Sequence, residues 1–92
     1  MIIEFARIFD DRFSKLSDDL QSKCRTALSV FIDCYTSRKF PKGLRVHKCG
    51  AFLSLSLTMK HRVFLFPIAG GIKFVFVGDH VDMEKYLKKG RG

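Results

Sequence analysis

The sequence predicts an α+β domain in which a strand, two helices, a run of antiparallel strands and a short C-terminal helix follow in that order. Three observations predict it. Apolar residues recur at helical spacing through the first third of the chain, strict two-residue alternation begins near Phe52, and a Gly-rich interruption splits the apolar stretch 61–77 into two strands. At 92 residues the chain is the length of one domain, so residues 1–92 are expected to share a single core.

Ile2 to Phe5 is a short β-branched run that fits either a first strand or the front of a helix. From Ala6 the spacing turns helical, with Ile8, Phe9, Phe13 and Leu16 at three- and four-residue steps, enough for about three turns. Ser17 then offers an N-cap, and Asp18 and Asp19 sit where a helix dipole favours carboxylates. The second helix carries the stripe Leu20, Cys24, Ala27, Leu28, Phe31, Ile32 and Tyr35, which fits one face packed on a sheet. Thr36 to Gly43 breaks both periods with Pro41 and Gly43 and reads as a loop.

Leu44 to Lys48 alternates, placing Leu44, Val46 and Lys48 on one side and Arg45 and His47 on the other. Cys49-Gly50-Ala51 makes a turn or bulge. In Phe52 to Leu57 the leucines take one face and Ser54 and Ser56 the opposite one, the pattern of a half-exposed strand. His61 to Phe66 returns, Pro67 should mark its end, and Ile68 to Gly71 connects to the strand Ile72 to Val77. A two-residue turn at Gly70-Gly71 would set Arg62 opposite Asp79, and a three-residue turn would set it opposite His80. Asp79 or His80 leads into a last helix, Val81 to Lys89, with Met83, Tyr86 and Leu87 on one face.

The formal charge is +8, and its distribution is uneven. Residues 1–37 carry five Lys/Arg against six acids, a net of −1, whereas residues 38–92 carry twelve against three, a net of +9. That half suits a polyanionic partner such as RNA, DNA or an acidic protein segment, or else provides a solubilising surface. Three cysteines without CxxC spacing indicate neither a disulfide framework nor structural zinc, so a reducing cytoplasm is the expected compartment. The start MIIEFARIFDDRF holds acids within its first turns and reads as neither signal peptide nor membrane anchor. With ten Phe and no Trp in a chain 47% hydrophobic, the composition argues for a packed core and against disorder.

Three segments, LRVHK (44–48), SLSLTMKHRVFLF (54–66) and IKFVFVGDHVDMEKY (72–86), follow the motifs "LR-x-HKL", "S-L-x-L-x-x-x-x-R-V" and "V-G-x-H" in order and spacing. On these the chain resembles the RelE/ParE superfamily of type II toxins. The resemblance implies a RelE-like microbial RNase fold: a twisted antiparallel sheet with two N-terminal helices packed on one face and a short C-terminal helix. It also implies a ribosome-dependent mRNA endoribonuclease that works without a metal or other cofactor in a bacterial or archaeal cytoplasm. The implied partners are the ribosome, mRNA and a cognate antitoxin, with operator DNA reached only through the antitoxin and no membrane. ParE-like members instead poison DNA gyrase, and a further alternative is a catalytically inactive toxin fold that binds ribosome or antitoxin.

Carried over by position, the resemblance gives Arg62 to the scissile phosphate, His47 and His80 to acid and base work, and Tyr86 to a catalytic tyrosine position. Lys48 is adjacent to His47 in its motif, and with Lys42, Arg45, Lys60, His61, Lys85, Lys88 and Lys89 it forms the candidate RNA-binding set. The chemistry fits these types. Attack by a 2′-OH needs a base, a cation on the phosphate and an acid, and histidine titrates near working pH while the arginine fork stays charged. One departure stands out: the lysine-using branch has two lysines on the strand before the arginine, where this chain has Ser54 and Ser56. Structural alternatives stand beside each role: an ion pair of Arg62 with Asp79 or Asp82, a surface position for His47, a place beside the N-cap for His80, solvated turn positions for Lys60 and His61, and a core position for Tyr86.

Overall fold

A computed structural model of the chain describes residues 1–40 and 45–89. The elements are β1 (Ile2–Phe5), α1 (Arg7–Ser14), α2 (Asp18–Ser37), β2 (Val46–Cys49), β3 (Phe52–Ser56), β4 (His61–Ile68), β5 (Gly71–Asp79) and α3 (His80–Lys89). The first segment is therefore a strand, and α1 is eight residues long, nearer two turns than the predicted three. It stops where Leu16 donates its N–H to the Phe13 carbonyl and Ser17 starts α2, its hydroxyl accepting the Leu20 N–H at 3.3 Å. The Gln21 amide locks this corner, donating to the Phe13 and Leu16 carbonyls at 3.1 and 3.3 Å.

The second helix runs through Thr36 and Ser37, which the sequence assigns to the loop. It ends at Arg38, which takes the left-handed conformation (φ 60°) and donates its N–H to the Cys34 carbonyl. A left-handed C-cap normally favours glycine. Arg38→Gly is accordingly expected to stabilise the fold by about 0.5–1 kcal/mol, net of the added freedom of the unfolded chain; urea midpoints of the two proteins check this.

The sheet has the order β1-β5-β4-β3-β2. Strands β2 to β5 form an antiparallel meander, but β1 pairs with β5 in parallel, so the sheet is mixed rather than wholly antiparallel. The free edge of β5 is open to β1 because Gly71 lacks a side chain there: a Cβ on it would stand 1.7 Å from the Ile2 carbonyl oxygen.

Both tight hairpin turns have two residues. Gly50-Ala51 joins β2 to β3 with Gly50 at φ 62°, and Ala69-Gly70 joins β4 to β5 with Gly70 at φ 77°. The second turn thus falls one residue before the predicted Gly70-Gly71 pair. Pro67 does not end its strand; it pairs with Ile72 inside β4. Pro67↔Ile72 is the non-hydrogen-bonded pair next to the turn, so the missing N–H points toward β3, which at that level has already turned away.

One irregularity controls the far end. Leu65 pairs with Phe74 but Phe64 pairs with Phe76, so Val75 is an extra residue in β5. Val75 and Phe76 consequently share a face, while Phe74 and Val77 face the other way. This bulge sets Arg62 opposite Gly78 and His61 opposite Asp79, one step from the register predicted with a two-residue turn and two from that with a three-residue turn.

The layers follow from these faces. Phe9 of α1 and Cys24, Leu28 and Phe31 of α2 pack on Leu55, Val63, Leu65, Ile72, Phe74 and Val77. On the opposite face, Met83 and Tyr86 of α3 pack with Phe64, Val75 and Phe76, beside Phe52 and Phe66. Cys24 and Cys34 are buried as the sequence suggests, and burial pushes the Cys24 thiol up to about 11, which keeps it inert near neutral pH.

Candidate functional site

The face that carries α3 is covered by that helix over β4 and β5 and exposed at Arg45 and His47 on the outer hairpin. Pairing arranges its residues in two rows across the strands. Arg45, Ser56, Arg62 and Gly78 form one row, closed at its β2 end by the Ser56 N–H on the Arg45 carbonyl at 3.0 Å. His47, Ser54, Phe64 and Phe76 form the next. With strands about 4.8 Å apart, the Arg45 and Arg62 backbones lie roughly 10 Å from each other. Alternation within each strand and the pairing registers between them decide this gathering: odd positions of β2 and even positions of β3 and β4 point the same way.

Arg62 is half-buried, and among the described residues it forms no ion pair and no side-chain hydrogen bond. Both proposed structural partners are engaged elsewhere. Asp79 caps α3, its Oδ1 accepting the Asp82 N–H at 2.8 Å, and Asp82 pairs with Arg12 of α1. The predicted ion pair is thus absent because capping and the α1–α3 contact use the two carboxylates. A guanidinium without a countercharge among the described residues, in a row with a second arginine, has the donors to receive an anion.

His80 opens α3 two residues beyond Gly78, but the expected meeting of its imidazole with Arg62 is not made. The ring is exposed, with Nε2 3.1 Å from a Glu84 carboxylate oxygen one turn on. Met83 and Tyr86 face the sheet, and the helical period turns His80 and Glu84 away from it. Tyr86 is half-buried and stacks on Phe76 with ring centroids 4.6 Å apart, so it belongs to the α3 packing and also borders the groove toward α1.

The other cations divide. Arg45 shares the Arg62 row, whereas Lys48 projects from the opposite face of β2, as its alternation with His47 requires. Lys60 is exposed in the turn before β4. His61 shares its Nδ1 with Thr58 Oγ1 at 3.1 Å and faces Asp79 across the strand pair, on the side away from Arg62. Lys85 lines the groove between α1 and α3 with Ile8, Arg12, Phe76 and Tyr86, and Lys88 is exposed on α3. Lys42 and the side chain of Lys89 lie outside the described residues.

Sequence reasoning missed two residues of this face. Arg12 reaches over the Phe76 ring, 5.5 Å from its centroid, while pairing with Asp82. Nothing in the α1 pattern marks it, since its partners come from the far end of the chain. Ser54, which alternation placed on an exposed face, is fully buried, and its hydroxyl has no hydrogen-bond partner among the described residues. It is a short side chain flanked by Phe52, Phe64 and His47, and their bulk shields it.

Hydrogen bonds from the Asp82 N–H, and the nearby His61, hold the Asp79 carboxyl below its ordinary value. A carboxyl lowered on folding contributes stability that is complete above its unfolded value, near 3.9, and is lost as pH falls through the lower folded value. Thermal melts are therefore expected to show an acid-side loss of stability beginning below about pH 4 that Asp79→Asn, which keeps a capping oxygen, reduces.

No described helix is long and apolar enough to cross a membrane, and no group of three or more His, Cys, Asp or Glu among the described residues could hold a metal ion. No protein-family model and no curated protein sequence matches the chain. Its fold is nevertheless matched by solved structures. The RelB–RelE antitoxin–toxin complex from Methanococcus jannaschii matches with a TM-score of 0.70 at 13% identity, over 90% of this chain and 96% of that one. The DinJ–YafQ complex of E. coli matches with a TM-score of 0.69 at 12% identity, over 88% and 94%. The five-stranded sheet, the helix pair on one face and the terminal helix on the other thus have the RelE-like fold of the toxins in these complexes.

Proposed function

We propose that this chain is the toxin of a type II toxin–antitoxin pair and acts as a ribosome-dependent mRNA endoribonuclease, neutralised by a cognate antitoxin. The observation that carries the reading is Arg62: a guanidinium without a countercharge among the described residues, in line with Arg45 and one row from His47. Arg62 would hold the scissile phosphate and stabilise the charge that grows on its oxygens. Imidazole would serve proton transfer to and from ribose oxygens, His47 from the open hairpin and His80 from the start of α3 after release from Glu84. Tyr86 would border the site, and Arg45, Lys48, Lys60, His61, Lys85 and Lys88, with Lys42 and Lys89, would supply the field for RNA and ribosome. Ser54 and Ser56 leave no lysine of β3 for the base, so the histidines must act. Operator DNA would be met only through the antitoxin.

Primer extension on mRNA after brief induction tests this. Codon-phased cuts support it. Intact mRNA with SOS induction and double-strand breaks would instead show a gyrase poison, the function of a binding protein that needs no catalytic residues.

A further inference from the structure

Buried polar groups are nearly always paired, so a hydroxyl that is wholly buried and unpaired calls for a physical reason. Among the described residues Ser54 Oγ is such a group. Its cross-strand neighbour on β2 is His47, whose ring is exposed and has no side-chain hydrogen bond among the described residues. The two-residue turn Gly50-Ala51 makes Cys49↔Phe52 a hydrogen-bonded pair, and two steps on His47↔Ser54 is another, with Cα atoms about 5.5 Å apart and side chains on one face. No other imidazole shares this row.

From this geometry we infer that Ser54 is a positioning residue: its hydroxyl is the seat of His47 Nδ1, and it turns Nε2 toward the phosphate held by Arg62. A serine oxygen can accept from Nδ1–H in the neutral ring and in the imidazolium alike. The same bond therefore holds the ring while Nε2 takes a proton and while it returns one. It also fixes the tautomer, because a proton kept on Nδ1 leaves the Nε2 lone pair free to act as base. Ser54 itself cannot reach RNA, since it is sealed beneath its neighbours. It would act only through His47.

The inference rests on the proposed ribonuclease reading, but its test does not need cleavage. Ring-nitrogen NMR of His47 is compared across a pH titration in the wild-type chain and in Ser54→Ala. The wild type is expected to hold the Nδ1–H tautomer and to titrate at higher pH than the variant, because the lost bond favours the charged ring. An identical tautomer ratio and midpoint in the two proteins would overturn the inference. Ser54→Ala removes an unsatisfied hydroxyl, so its melting temperature is expected to match or exceed the wild type, which keeps the comparison between folded proteins. In the cleavage assay the variant is expected to lose roughly tenfold in rate, less than the ~10²–10⁴-fold that a general acid–base group itself contributes, because His47 is kept and only its orientation is lost, and its pH–rate profile should move with the NMR midpoint. A wild-type rate with an unmoved profile in Ser54→Ala also overturns the inference. No cleavage by the wild type overturns the ribonuclease reading alone, and the NMR result still decides Ser54.

Discussion

Arg62→Ala is expected to lower mRNA cleavage by about 10²–10³-fold, the usual cost of removing one preorganised charge-stabilising donor, and to relieve growth arrest on induction. The loss should come without unfolding, because Arg62 has no ion pair among the described residues whose removal would strand a buried charge. Arg62→Lys should recover part of the rate, keeping the charge but losing the planar fork. Both follow from single-turnover cleavage on programmed ribosomes beside a thermal melt. Full toxicity of Arg62→Ala would sink the phosphate role. A parallel fall in melting temperature would show that the residue is structural.

Gly71→Ala is expected to be the most destabilising small substitution. The added methyl would overlap the Ile2 carbonyl oxygen, and backbone cannot rotate out of the way as a side chain can. Either β1 leaves the edge of β5 or the β4–β5 turn distorts. Leaving also exposes Phe74, on which Phe5 stacks at 5.3 Å. The cost is placed at about 3 kcal/mol, the upper end for overpacking, or roughly 10–20 °C in melting temperature for a domain of this size. Amide exchange should show the loss first at Ile2 to Phe5. The neighbouring Gly70, at φ 77°, constrains the turn rather than the strand pairing, since a Cβ added there would meet Ile2 Cδ1 at an ordinary contact distance of 3.5 Å.

Much of the fold was legible from residues alone, for reasons that are local. Ser17 capped α2 because a hydroxyl before an apolar stripe has one economical use, and Gly50 with Ala51 turned the chain because glycine tolerates φ 62°. The two-residue period assigned Arg45 and His47 to one face and Lys48 to the other before any contact was known. Arg62 was conspicuous as the one charge in an apolar strand. Its partners were not, because a register depends on every residue between the two positions. The turn fell at Ala69-Gly70 and Val75 bulged, so neither Asp79 nor His80 came opposite Arg62.

The RelE-like order of elements, the basic second half and the alternation that puts Arg45 and His47 on one side of their strand were all written in the order of the residues, since each depends on neighbours at most a few positions away; bringing Arg62 to that face took the strand registers. Tertiary structure alone decided the rest. It sent β1 to the free edge of β5 in parallel, joined Arg12 to Asp82 and buried Ser54 without a partner among the described residues. These outcomes pit packing of distant segments against one another, and strand pairing, capping and burial compete there for the same few polar groups.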